Sequence, residues 1–148
     1  MKDMDRLADE PCRIVQLPKI MDPRGNLTFV EGIRHVPFDV RRVFWIYDVP
    51  GGEMRGGHAY RRNRELIIAV SGSFEVEVDD ARDGVRRFSL NRSYYGLYVP
   101  PLHWRSLVNF STNSLCLILA SEDYDEQDYF RDYEEYQRLR GGCDDHGL

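Results

Sequence analysis

What the chain lacks narrows its class first. No run approaches the roughly 18 consecutive apolar residues of a membrane helix, and the amino terminus has no apolar signal core. The expectation is a cytoplasmic protein with no membrane partner. Cysteine is scarce: Cys12, Cys116 and Cys143 are odd in number and scattered, without a C-x-x-C pair. That argues against both a disulfide framework and a zinc ribbon, and Cys116, in an apolar run, reads as core. Basic residues are outnumbered, 20 Lys and Arg against 25 Asp and Glu, for a net charge of -5, so nucleic acid is not an expected partner. Helical periodicity is missing before Asp125, and no internal repeat or low-complexity linker divides the chain. Its 148 residues suit one domain.

What is present is a series of short β-type runs. Arg13 to Leu17 alternates like an edge strand, and the turn signalled by Asp22-Pro23 and Gly25 leads to a second run, Leu27 to Glu31. Val40 to Asp48 is rich in β-branched and aromatic residues and ends at Val49-Pro50-Gly51-Gly52. Further strands are predicted at Phe74 to Val78, Arg86 to Leu90, Gly96 to Val99, Trp104 to Phe110 and Ser114 to Ala120. Turn signals recur about every ten residues, which indicates an all-β, antiparallel barrel of the jelly-roll kind. Only Asp125 to Arg138 looks helical, with Tyr129, Tyr133 and Tyr136 on one stripe and Gly141-Gly142 closing it. The expected organisation is a flexible extension over 1–12, one domain over 13–140 and a disordered tail over 141–148.

Two constellations carry the chemistry. In Met54 to Glu65 followed by Leu66 to Gly72, glycines precede His58, and His58 and Tyr60 lie two apart, on one strand face. The spacing His-x-Tyr-x4-Glu-x6-Gly resembles the first motif of the cupin barrels, which normally carries two metal-binding histidines and a glutamate. The stretch from Gly96 through Pro100-Pro101-Leu102-His103-Trp104-Arg105 to Asn109 resembles the second motif, with Arg105 where that motif has its last histidine. A tyrosine is a poor ligand for a divalent ion and a guanidinium repels one, so no metal and no cofactor is expected. His103 as a displaced ligand would need a bulge or flipped face. Arg105 is also a natural ion-pair partner for Glu65 inside the barrel.

A more specific resemblance runs from about Ile14 to Tyr136. The segments Arg42 to Asp48, Arg55-Gly56-Gly57-His58-Ala59, Gly96 to Val99 and Leu119 to Tyr129 are similar to the nucleotide-sugar 3,4-ketoisomerases, metal-independent cupins acting on dTDP-4-keto-6-deoxyglucose. The turn Asp22-Pro23-Arg24-Gly25 is similar to one shared with the related dTDP-sugar 3,5-epimerases. The resemblance implies a cupin fold, a dTDP-linked 4-keto-6-deoxy sugar as substrate and a homodimer that exchanges amino-terminal strands. The short, polar-flanked strand at Arg13 to Leu17 suits such an exchange. The family's active pair is His-x-His, and Tyr60 departs from it.

Moving a ketone from C4 to C3 requires removing the C3 proton, stabilising an enediolate and delivering a proton to C4. His58 is the candidate base. Tyr60 is the candidate donor to the developing oxyanion or carrier of a hydroxyl proton. A diphosphate calls for guanidinium forks, with Arg24, Arg55 and Arg62 as candidates, while Tyr47, Tyr98 or Trp104 could stack on thymine. Glu65 and Arg105 complete the candidate substrate contacts. Three readings follow: the isomerase, serving deoxy-sugar or amino-sugar synthesis for surface glycans; a non-catalytic or altered nucleotide-sugar binder; and a metal-dependent cupin oxygenase, which Tyr60 and Arg105 disfavour.

Overall fold

The computed structural model describes residues 6–145. Twelve strands precede a carboxyl-terminal helix: β1 (Arg13–Gln16), β2 (Lys19–Ile20), β3 (Leu27–Thr28), β4 (Arg42–Tyr47), β5 (Arg55–Tyr60), β6 (Glu65–Ser71), β7 (Phe74–Asp79), β8 (Val85–Leu90), β9 (Tyr95–Val99), β10 (Trp104–Val108), β11 (Leu115–Ala120), β12 (Tyr129–Phe130) and α1 (Tyr133–Asp145). They form two five-stranded sheets, ordered β1-β9-β6-β11-β4 and β12-β5-β10-β7-β8, with β2 and β3 as a separate hairpin. All the ladders are antiparallel, as a jelly-roll requires.

Side-chain alternation explains how the sheets face each other. On β7, Phe74, Val76 and Val78 are buried while Glu75, Glu77 and Asp79 lie between them on the other face. Those three join Ile67, Ala69, Leu97, Val99, Leu107, Cys116 and Ile118 in the core between the sheets. Cys116 is core, as read from the sequence, and burial pushes its thiol up to about 12. The opposite face of β6, β9 and β11 holds Leu66, Ile68, Tyr98 and Leu119 beneath Val36 and Phe38. A third cluster, Ala59, Phe130 and Tyr136 with Leu102 and Trp104, seats α1.

Several expectations need revision. The helix predicted from Asp125 starts at Tyr133, because Asp132 accepts from the Glu134 amide through its side chain (3.0 Å) and from the Tyr136 amide through its carbonyl (3.1 Å). Before it, Asp125 caps a 3-10 turn at Glu126–Asp128, and Tyr129 is in strand β12. Gly141-Gly142 does not close α1, which runs on to Asp145. The exchange expected of strand β1 concerns a second subunit; within this single chain β1 pairs with β9. Within the expected flexible extension, residues 6–8 are helical, and Ala8 and Cys12 are buried. The remainder of that extension (1–5) and of the expected disordered tail (146–148) lies outside the described residues.

Candidate active site

The sheet ladders gather the polar side chains at one end of the barrel. Glu65 opens β6 and pairs with Ala120 and Val99, the last residues of β11 and β9. Arg105 pairs with His58 across β10 and β5, so both point to the same face. Glu65 shares its face with Ile67 and Ala69, and Arg105 shares its face with Leu107, which places all of these polar groups over the inter-sheet core.

Glu65 and Arg105 are 0% and 1% exposed and form a bidentate ion pair, with Nε to Oε1 and Nη2 to Oε2 both at 2.9 Å. Burial works against the Arg105 charge, but Glu65 outweighs it and holds the guanidinium above its already high range. The remaining Nη1 donates to the Gly56 carbonyl at 3.0 Å. Glycine is required there: φ is 73°, and a Cβ would sit 2.1 Å from Arg105 Nη1. Tyr60 is also buried and its hydroxyl donates to Glu65 Oε2 at 3.2 Å. Burial, followed by the charge of Glu65, pushes this phenol well above its ordinary range. With the carboxylate answered by a guanidinium and a phenol, these residues do not fit a cupin metal ion.

His58 lies beside this network, 8% exposed, with a buried Nε2 that has no hydrogen-bond partner among the described residues. Its ring meets those of Tyr60 and Tyr129 at 4.8 and 5.0 Å between centroids. Burial first, then the guanidiniums of Arg105, Arg131 and Arg42, lower its pKa from 6.5 to about 2. The imidazole is therefore neutral, and its Nε2 is available as an acceptor.

Sequence reasoning missed Tyr129, Arg131 and Arg42. Strand β12 pairs Tyr129 with Tyr60 and Phe130 with Ala59, which lays the Tyr129 ring 4.7 Å from that of Tyr60. Arg131 lies 4.2 Å over the Tyr129 ring and is paired with Glu126. The position of Tyr129 at the end of a segment shared with the ketoisomerases was the available signal, but the helical stripe claimed the residue.

The other candidates are dispersed. Arg62 is paired with Asp125 (3.1 Å) and Asp128 (3.7 Å), and the buried Asp128 also accepts the Arg62 and Asn63 amides. This pins the 125–131 segment to the β5–β6 loop. Arg24 is held by Asp22 in its own turn, its side chain 90% exposed. Arg55 is exposed at the start of β5, and no ion pair engages it among the described residues. Three aromatic platforms need correction. Tyr98 is fully buried against Phe38 and beneath Arg13. Trp104 alternates with Arg105 and so turns outward, where it packs on Tyr133 and Tyr136. Tyr47 is exposed at the far end of β4, five strand steps or about 17 Å from Arg42 at the site end. His103, whose Nδ1 is 2.8 Å from the Pro101 carbonyl, borders a separate cleft with Cys12 and Arg140.

Residues 10–141 match the family model described as FdtA: WxcM-like, C-terminal. The chain is 34% identical over 126 residues to a TDP-4-oxo-6-deoxy-alpha-D-glucose-3,4-oxoisomerase of Aneurinibacillus thermoaerophilus, covering 85% of this chain and 90% of that one. It is 33% identical, with a TM-score of 0.86, to a mutant of the 3,4-ketoisomerase QdtA from Thermoanaerobacterium thermosaccharolyticum in complex with TDP-4-keto-6-deoxyglucose, over 88% of this chain and 94% of that one. At 18% identity and a TM-score of 0.69, over 81% and 68% of the two chains, it shares its fold with NovW, a 4-keto-6-deoxy sugar epimerase of Streptomyces spheroides.

Proposed function

The chain belongs to the WxcM-like, C-terminal (FdtA) family, and we propose that it is a sugar 3,4-ketoisomerase acting on a dTDP-linked 4-keto-6-deoxyhexose in deoxy-sugar biosynthesis. The observation that carries this reading is the neutral, buried His58, whose Nε2 has no hydrogen-bond partner among the described residues and whose protonation burial and the charges of Arg105, Arg131 and Arg42 oppose. Such a nitrogen can accept the C3 proton, and the guanidiniums near it can stabilise the enediolate that forms. Burial is the main reason that free His58 is a weak base, and the arginine charges add to it; an anionic nucleotide sugar would offset the charges and so raise the basicity of the imidazole. The proton returns from His58 to C4 as the ketone settles at C3.

Within this proposal Glu65 and Arg105 form the rigid floor of the site, to which the Tyr60 hydroxyl is committed through Glu65. Arg55 and Arg24, both exposed, are the proposed diphosphate contacts, and the loop arginine Arg62 holds β12 in place. The reaction needs no metal or cofactor.

The protein is further proposed to be a cytoplasmic homodimer. Outward-facing Val43, Trp45 and Tyr47 on β4 are 47%, 57% and 61% exposed, and Ile20, Met21 and Leu27 of the hairpin are 55%, 72% and 55% exposed. Apolar groups clustered this way favour cover by a second copy. The amino-terminal strand at Arg13 to Leu17 is the segment proposed to be exchanged between the subunits.

The test of function is to incubate the protein with dTDP-4-keto-6-deoxyglucose and identify the product by NMR. A 3-keto sugar is expected; unchanged substrate, or a product altered at C5 with its ketone still at C4, would refute the assignment.

A further inference from the structure

Ketone migration moves four protons. One leaves C3, one reaches C4, one reaches the former carbonyl oxygen O4, and one leaves O3. His58 accounts for the two carbon-bound protons; the two on oxygen need another group. Tyr60, the residue in the second histidine position, is poorly placed to supply them. Its hydroxyl is directed to Glu65 Oε2 at 3.2 Å, in a buried network shared with Arg105. Burial and the neighbouring carboxylate keep that proton on the phenol.

Tyr129 lies beside both His58 and Tyr60 on the neighbouring strand β12. It is half-buried, where Tyr60 is 4% exposed. Its ring lies 5.0 Å from that of His58 and 4.7 Å from that of Tyr60, and the Arg131 guanidinium lies 4.2 Å over it. The Tyr129 side chain also adds to the rise in the Tyr60 phenol, so the two side chains interact near the Tyr60 hydroxyl. The edge strand that carries Tyr129 is anchored independently, through its ladder to β5 and through Asp128, which accepts the Arg62 and Asn63 amides.

Resting on the isomerase reading, we propose that Tyr129 is a catalytic residue that carries the oxygen-bound protons, and that Tyr60, fixed by Glu65 and Arg105, positions it. As His58 takes the C3 proton, the C3–H electron pair becomes the C3=C4 bond and the carbonyl pair moves to O4. Tyr129 gives its phenolic proton to O4. It then accepts the O3 proton as C3=O forms, while the C3=C4 pair takes the proton back from His58 at C4. Every group returns to its starting state, and no oxidant, reductant or metal is required. The chain thus replaces a second imidazole with a phenol delivered from another strand.

The test compares wild type, Tyr129→Phe and Tyr60→Phe with dTDP-4-keto-6-deoxyglucose in deuterated water, following deuterium entry at C3 and 3-keto product in one NMR time course. In Tyr129→Phe, C3 exchange should stay within about threefold of wild type while ketone migration falls about 100-fold, as expected for loss of one proton-transfer group. Tyr60→Phe should shift the ratio the same way by about tenfold, since it affects orientation rather than the proton itself. Thermal stabilisation by dTDP should be unchanged in both, which shows an intact site. Equal loss of exchange and migration in Tyr129→Phe, or wild-type rates for both, would overturn the role of Tyr129 while leaving the isomerase reading in place. A wild-type protein that neither exchanges nor isomerises would overturn that reading and the role of Tyr129 with it.

Discussion

At the scale of single residues, the site is governed by the cost of placing charge in the interior. His58 resists protonation because it is buried and faces three guanidiniums, and this has a signed consequence for stability. Between pH about 6.5 and about 2 the unfolded chain binds a proton that folded His58 refuses, so the contribution is full above 6.5 and is lost as pH falls. The slope from this residue approaches about 1.4 kcal/mol per pH unit. Replacing His58 with Asn should remove that share, seen as a smaller drop in unfolding free energy from pH 7 to pH 5 and no change in slope above pH 7. Gly56 offers a second test, since a Cβ would collide with Arg105 Nη1 at a φ of 73°. Gly56→Ala should cost at least about 2 kcal/mol in denaturant unfolding, from backbone strain and a disturbed buried ion pair. That His58 and Tyr60 meet was legible because strand periodicity fixes which residues share a face, and the Glu65–Arg105 pair was legible from the resemblance to the two cupin motifs. Tyr98 and Trp104 were misjudged because an aromatic in a strand looks the same whether it faces a ligand, the core or a helix.

At the scale of elements, strand order was the hidden variable. Turn punctuation marks where each strand begins and ends, and that information is local. That β12 closes the edge of β5 is a long-range fact, carried by Asp128 and the β5–β6 loop, whereas the tyrosine spacing in the same segment imitates a helix. The true helix is fastened by Tyr136, whose hydroxyl lies 2.8 Å from the Asp79 carbonyl and 3.0 Å from that of Leu102, and whose ring lies tilted against Trp104 with centroids 5.6 Å apart. Tyr136→Phe leaves the ring in place and two carbonyls with one partner fewer, so a loss of about 1 to 2 kcal/mol in unfolding free energy is expected. Hydrogen exchange should show that loss concentrated in α1 and β12, with β6 and β11 unaffected.

At the scale of the whole molecule, exposed β4 and the free β2–β3 hairpin set the expectation of a dimer. Sedimentation at micromolar concentration should give twice the 17.4 kDa chain mass, and Trp45→Lys, at a 57% exposed position, should yield monomer. The central claim, ketone migration driven by His58, is tested most directly by turnover of dTDP-4-keto-6-deoxyglucose by wild type and His58→Asn, with dTDP binding measured in parallel. The expected result is a 3-keto product from wild type and a loss of at least about 100-fold in His58→Asn with dTDP affinity retained. Turnover that survives His58→Asn would contradict the account.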